Sequence, residues 1–197
     1  ARAADVRSAP VGVKALGEDL VIWRDATGRA HVMSDRCPHR DTKLSLGEVV
    51  HGALTCPYHG FQFDGTGQCI AIPSEGGACP LTRRFRVPTY PTEERVGLIW
   101  GYIGDTDLFP PPPLHIAEEL EDPEWSGFIC RAEWGANWLR IFDNLADPMH
   151  GQFLHARSYT LSRGKQQDRL RVVDLSDDAF LVEREGQRGV NFDWVEL

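Results

Sequence analysis

Four residues set the first question: Cys37, His39, Cys56 and His59, in the stretch RCPHRDTKLSLGEVVHGALTCPYHG, residues 36–60. One loop offers a Cys and a His separated by one residue. Sixteen residues later a second loop offers a Cys and a His separated by two. Thiolate and imidazole are ligands for borderline and soft transition metals, so the pattern asks for a centre with two sulfurs and two nitrogens. Two kinds fit that donor set: a tetrahedral zinc site, or a two-iron cluster with two Cys on one iron and two His on the other. A second group lies in DNLADPMHGQFLH, which holds Asp143, Asp147, His150 and His155 in the order D-x3-D-x2-H-x4-H. On an unbroken helix two histidines five apart face about 140° from each other and cannot share one ion. Pro148 and Gly151 supply the break that a shared ion requires, Pro by removing a helical hydrogen bond and Gly by permitting unusual backbone angles.

The elements that must carry these groups follow from pattern and punctuation. The chain has 197 residues, 42% of them hydrophobic, enough for one respectable core or a small domain plus part of another. From Val11 to about Tyr102, short apolar or alternating runs are separated by turn residues. "LVIW" and "AHVMS" flank the turn "DATG" as a hairpin, and further strands are expected at "FQFD", "CIAI" and "GLIWGYI". This is a mainly β unit. Pro110 to Pro113 form a stiff connector, which sets the expected boundary between residues 1–113 and residues 114–197. Beyond it, "LHIAEELEDPEW" reads as a short acidic helical stretch, and Trp138, Leu139, Phe142 and Leu145 recur at helical spacing behind a capping Asn137. "RLRVVDL" and "AFLVERE" read as two strands joined by "SDD". Two strands alone are not a stable sheet, so the second unit is expected to be the opening of a larger α+β domain whose remainder is absent. A start at Ala1 rather than Met suggests that the true start is missing or processed away.

A formal net charge of −8 argues against non-specific binding to nucleic acid or to an anionic membrane, both of which the long-range field would repel. No segment approaches the eighteen or so apolar residues of a membrane span, and ARAADVRSAP lacks a signal-peptide core, so a soluble cytoplasmic protein is expected. Five cysteines make an odd set without the density of a secreted disulfide scaffold, which favours metal ligation. Cys69, Cys79 and Cys130 are read as small buried side chains.

Zinc fingers group a Cys pair and then a His pair, whereas here each loop gives one of each. With Pro and Gly around the ligands ("CPH", "CPYHG"), the arrangement strongly resembles the Rieske [2Fe-2S] signature. The resemblance implies that Cys37 and Cys56 hold a buried ferric iron and that His39 and His59 hold the outer, redox-active one. Neutral imidazoles in place of two thiolates raise the potential above that of all-Cys clusters. The respiratory type has an extra Cys in each loop and a Ser after the second His. Thr42 and Phe61 stand in the neighbouring places here, so the resemblance is to the lower-potential oxygenase or ferredoxin branch, and His51 is left without a role. The downstream stretch resembles the mononuclear iron motif of Rieske non-haem iron oxygenases, where two His and a carboxylate leave positions open for dioxygen. By that resemblance His150 and His155 bind Fe(II). Asp147 bonds the outer nitrogen of a ligand His and bridges to a Rieske His of a neighbouring subunit, while Asp143 and Asn144 line the substrate side. The family's carboxylate ligand comes much further along the chain than the 42 residues that follow His155. Asp174, Asp177, Asp178, Glu183, Asp193 and Glu196 sit on or beside the first strands, and none is assigned.

The resemblance to the α subunits of aromatic ring-hydroxylating oxygenases implies a Rieske domain followed by the start of a catalytic domain with a helix-grip-like antiparallel sheet. It implies electrons from NAD(P)H through a ferredoxin or flavin reductase, dioxygen and an aromatic small molecule as substrates, and hydroxylation, dihydroxylation or O-dealkylation as the outcome. A homotrimer, with or without a small β subunit, is the implied assembly. Arg36, Arg40 and Lys43 form a basic rim suited to an acidic electron donor. Two rivals stay open: a Rieske ferredoxin acting only as electron carrier, which residues 1 to about 113 would satisfy, and a zinc-stabilised binding module.

Overall fold

The computed structural model describes residues 1–76, 79–127, 129, 132–147, 149–157, 169–176 and 179–184. The chain divides into two compact units, Ala1–Ile129 and Cys130–Leu197. In the first, β1 (Val11–Ala15), β2 (Glu18–Arg24) and β3 (Ala30–Ser34) are followed by β4 (Glu48–Val50), β5 (Ala53–Thr55), β6 (Gln62–Phe63) and β7 (Cys69–Ala71). Then come β8 (Thr89–Tyr90), β9 (Thr92–Arg95) and β10 (Leu98–Gly101). They pair as two antiparallel four-stranded sheets, β1-β2-β3-β8 and β4-β5-β6-β7, with β9-β10 as a separate hairpin.

The run Leu20-Val21-Ile22-Trp23 explains how two layers meet on one strand. All four side chains are buried, because β2 has both faces covered and alternate residues point opposite ways. Val21 and Trp23 join Met33, Leu44, Leu54, Phe61, Phe63 and Val87 in one core, which also takes in Cys37 and Cys56. Leu20 and Ile22 face a second core with Val6, Ala30, Val32 and Ile99. Each of these larger side chains contributes about 1.5–3 kcal/mol by leaving water. The two cysteines are thereby anchored in the better-filled core.

Three of the hairpins turn on two residues at positive φ: Leu16-Gly17 between β1 and β2, His51-Gly52 between β4 and β5, and Val96-Gly97 between β9 and β10. This is the sign pattern of the type I′ turn, whose twist matches that of the flanking strands. His51, without a role in the sequence, is a hairpin corner. The "DATG" turn joins β2 to β3 as expected, and the chain uses the same device again at Asp64. Asp25 Oδ1 accepts from Thr27 N, Thr27 Oγ1 and Arg29 N, and Asp64 Oδ1 accepts from Thr66 N, Thr66 Oγ1 and Gln68 N. The two turns meet at His31, whose Nε2 lies 2.8 Å from Asp25 Oδ2. Gly65 comes so close to that ring that a Cβ there would stand 2.2 Å from it.

The stretch 114–125 is not the helix its acidic run suggested. It contains only a 3-10 turn at Glu118–Leu120, in a stretch preceded by Pro113 and interrupted by Pro123 that is too short to form a stable helix by itself. Arg95 ties it down, reaching both carboxylate oxygens of Glu121 and the carbonyl of Leu114. In the second unit, α1 (Trp138–Leu145) and α2 (Gly151–Leu154) precede the antiparallel hairpin of β11 (Leu170–Ser176) and β12 (Ala179–Arg184). Asn137 caps α1, its side chain accepting from Leu139 N at 2.9 Å. The expected turn residues Asp177 and Asp178, with Asp193, Glu196, Cys130 and Pro148, lie outside the described residues. Among the described residues no helix is long and apolar enough to cross a membrane.

Candidate metal centres

The two upstream loops follow one plan. In the first, Cys37 N donates to Thr42 O at 2.9 Å and Asp41 N donates to Cys37 O at 2.8 Å. In the second, Cys56 N donates to Phe61 O at 2.9 Å and Gly60 N donates to Cys56 O at 3.0 Å. Each loop is therefore closed at its Cys by the residue five on and braced by the residue four on. That fourth residue has positive φ in both, 53° at Asp41 and 71° at Gly60. Pro38 and Pro57 follow the cysteines, where a fixed φ stiffens the turn and no N–H is needed.

Equivalent loops bring like side chains together. Cys37 and Cys56 are buried, at 1% and 3% exposure, and their thiols are near enough to influence one another. The rings of His39 and His59 are 4.7 Å apart, edge to face. His39 is half-buried and His59 exposed, so the sulfurs lie inward and the imidazoles outward. Phe61 stacks on His39 at 4.6 Å and Tyr58 lies against His59 at 4.0 Å. Burial, with Cys56 adding to it, pushes the Cys37 thiol up to about 11, while the N–H groups of His39 and Arg40 act in the opposite direction. Burial, His59 and Arg40 hold His39 below its usual value. A neutral imidazole is the ligating form, and amide donors aimed at sulfur suit a coordinated thiolate. The donor set sorts into a Cys pair and a His pair. That arrangement fits a two-iron cluster with unlike ends, whereas one zinc ion needs all four donors around a single point.

Of the other cysteines, Cys69 is buried, but Cys79 is only partly so, at the start of the 3-10 segment Pro80–Arg84. The expectation of a buried Cys79 is corrected. Its chain enters a surface turn there, and the side chain packs on the core from its edge.

Downstream, the break the histidines require is present. α1 stops at Leu145, and α2 is a single turn with His150 as the residue before it and His155 as the residue after it. His155 leaves helical geometry at ψ 23°, and the two imidazoles face each other with centroids 5.3 Å apart. Asp147 is fixed by Met149 N, which donates to Oδ1 at 2.8 Å, and its Oδ2 stands 3.5 Å from His150 Nδ1. That nitrogen is buried and has no hydrogen-bond partner among the described residues, with the Asp147 carboxylate facing it. Two nitrogens and a carboxylate behind one of them fit part of a ferrous site. Asp143 is exposed and paired with Arg140 at 3.2 Å on the same helix face, Asn144 is exposed, and Asp174 is exposed on β11. Among the described residues no three His, Cys, Asp or Glu side chains converge on one point.

Residues 1–91 match the Rieske [2Fe-2S] domain family. The chain carries a Rieske [2Fe-2S] domain and is similar to oxygenase subunits. It is 37% identical over 168 residues to the phenoxybenzoate dioxygenase subunit alpha of Ectopseudomonas oleovorans, covering 79% of this chain and 41% of that one. It is 39% identical over 145 residues to the 4beta-methylsterol monooxygenase of Methylococcus capsulatus, covering 73% and 39%. Its fold matches the crystal structure of dicamba monooxygenase bound to dicamba with a TM-score of 0.78 and 31% identity, over 92% of this chain and 53% of that one. The chain thus spans well under two thirds of the length of these relatives. The Rieske domain accounts for both cysteine-histidine loops, and the fold match extends past it into the second unit.

Sequence reasoning missed Asp35 and Ser45. Asp35, 2% exposed, accepts from Ser45 N and Ser45 Oγ, both at 2.6 Å. Nothing in the string DRC distinguishes this acid from a solvated one.

Proposed function

We propose that this chain is the electron-accepting and iron-holding part of a terminal oxygenase, acting in the hydroxylation or O-dealkylation of an aromatic compound. One observation carries the reading: a single chain holds both the paired Rieske loops and a broken helix that turns His150 and His155 toward each other with Asp147 behind. When bound, the cluster supplies one-electron transfer and a ferrous ion supplies activation of dioxygen.

The protein's share is positioning and charge. Cys37 and Cys56 hold the inner end of the cluster from within the core, and His39 and His59 present the outer end to solvent. His150 and His155 would hold the ferrous ion, and Asp147, facing His150 Nδ1, would favour the tautomer that leaves Nε2 free to bind it. Two named relatives act on quite different skeletons, a phenoxybenzoate and a methylsterol. The aromatic class is favoured here by the likeness to the phenoxybenzoate enzyme and to the dicamba-bound structure.

A separate electron donor is part of the proposal, and an acidic one fits the rim of the first loop. Arg36 and Lys43 share Asp19 at 3.7 and 4.0 Å, both largely exposed, and Arg40 stands beside His39.

The test is composition. The purified protein should contain iron and inorganic sulfide, with iron in excess of sulfide, and His150→Ala should lose only the excess. Zinc without sulfide would replace this reading with a structural metal site. Iron equal to sulfide in the parent protein would leave an electron carrier.

A further inference from the structure

The first cluster loop has a feature its twin lacks, a buried carboxylate at its base. Asp35 and Ser45 flank residues 36–44, and the two hydrogen bonds between them close that segment end to end. Both Asp35 oxygens act as acceptors, as an ionised carboxylate does. The pair is held from behind. Asp35 N donates to Asp19 O on β2 at 2.9 Å, and Gly12 of β1 lies so near that a Cβ would meet Ser45 Oγ at 2.9 Å. In the second loop, the residue two before the Cys is Leu54, an apolar core residue, and the stem is the ordinary Thr55–Gln62 strand pair. One loop therefore brings a buried negative charge two residues from its cysteine, and the other brings none.

We propose that Asp35, with its charge partly balanced by Ser45, is a positioning residue that also sets the reduction potential of the centre held by Cys37, His39, Cys56 and His59. This rests on the cluster reading above. Reduction adds an electron to the centre, so an uncompensated buried carboxylate nearby opposes it and a neutral group relieves it. Asn at position 35 can keep the clasp, its oxygen accepting from Ser45 N and its amide donating to Ser45 Oγ, while deleting the charge. Ala at position 45 keeps the charge and removes one of its two donors. The two substitutions act in opposite directions on the electron.

The experiment is redox titration of the purified holoprotein and of D35N and S45A, alongside cluster content and the thermal melting of each. Iron, sulfide and the spectrum of the parent protein test the cluster reading by themselves; the differences between variants test the clasp. D35N should favour the reduced form by about tenfold, 59 mV for one electron. S45A should shift the other way, with the spectral signature kept in both. Potentials unchanged, or moved in the same direction, would overturn the proposal. So would loss of the cluster from both variants with lowered melting, since the pair would then be scaffold alone.

Discussion

Asp41 and Gly60 occupy the same place in two loops of one design. Each is four residues after a Cys, each has positive φ, and each donates its N–H to that Cys carbonyl. For an L-residue this conformation costs roughly 1–2 kcal/mol, least for Asn, Asp and Gly. Asp41→Gly should therefore leave melting nearly unchanged, whereas Asp41→Ala should lower stability by about 1 kcal/mol. Gly60→Ala should cost more, because its new Cβ would also stand 3.1 Å from Pro73. Equal losses from Asp41→Ala and Asp41→Gly would show that the Asp side chain matters, and not the backbone angle. Thermal unfolding of the three variants decides it.

The Asp25 turn predicts acid sensitivity. Thr27 Oγ1 and then His31 hold its carboxyl far below the usual carboxylate range, with the N–H groups of Thr27 and Arg29 helping and burial opposing. A depressed folded value means that stability is present above the unfolded value, ~3.9, and is lost as pH falls through the folded one. Asp25→Asn should be less stable than the parent at pH 7. The gap should hold down to about pH 4 and close as the parent loses its advantage in stronger acid. A gap that stays constant to the lowest pH at which the parent is folded would exclude this origin. Melting temperature against pH for both proteins is the measurement.

Much of this was legible in the sequence because ligand chemistry demands particular residue types at particular spacings. Cys37, His39, Cys56 and His59 are named by type alone, and the Asn137 cap and the "DATG" hairpin have local causes. The shared plan of the two loops was not legible. It resides in backbone hydrogen bonds, and the strings hide it, since His follows Cys at two places in one loop and three in the other. Asp64 was within reach, because "DGTGQ" repeats the Asp, the Thr and the Gly after it of "DATGR" at the same spacing. So was His51, had the three two-residue turns ending in Gly been compared. Asp35 was out of reach. A buried carboxylate is defined by what surrounds it, and its partner Ser45 lies across a whole loop.

The basic rim gives a prediction about partners. Arg36 and Lys43 are partly neutralised by Asp19, while Arg40 has no ion pair among the described residues. Charge at an exposed rim acts chiefly on encounter, so Arg40→Glu should slow cluster reduction by an acidic protein donor about tenfold at low salt, and less as salt rises. Reduction by a small chemical reductant should stay within about twofold of the parent, as no buried contact is lost. An unchanged rate with the protein donor would remove this surface from the proposal. Stopped-flow bleaching of the cluster at several ionic strengths separates the cases.

Asp147 makes two contacts that substitution can separate. Oδ1 accepts from Met149 N and shapes the chain between α1 and α2, while Oδ2 faces the buried His150 Nδ1. Asp147→Asn preserves the first contact and weakens the second, because a neutral amide polarises an imidazole N–H less than a carboxylate does and can present its NH2 group instead. Partners behind a ligating His are worth about 10–100-fold in metal affinity. Asp147→Asn should therefore bind added ferrous ion that much more weakly, with cluster content and spectrum unchanged. Asp147→Ala, which loses both contacts, should in addition lower the melting temperature. Ferrous titration of the two variants, read beside their circular dichroism, tests the assignment. Unaltered affinity in Asp147→Asn would leave Asp147 with the turn alone and move the support of His150 to another group.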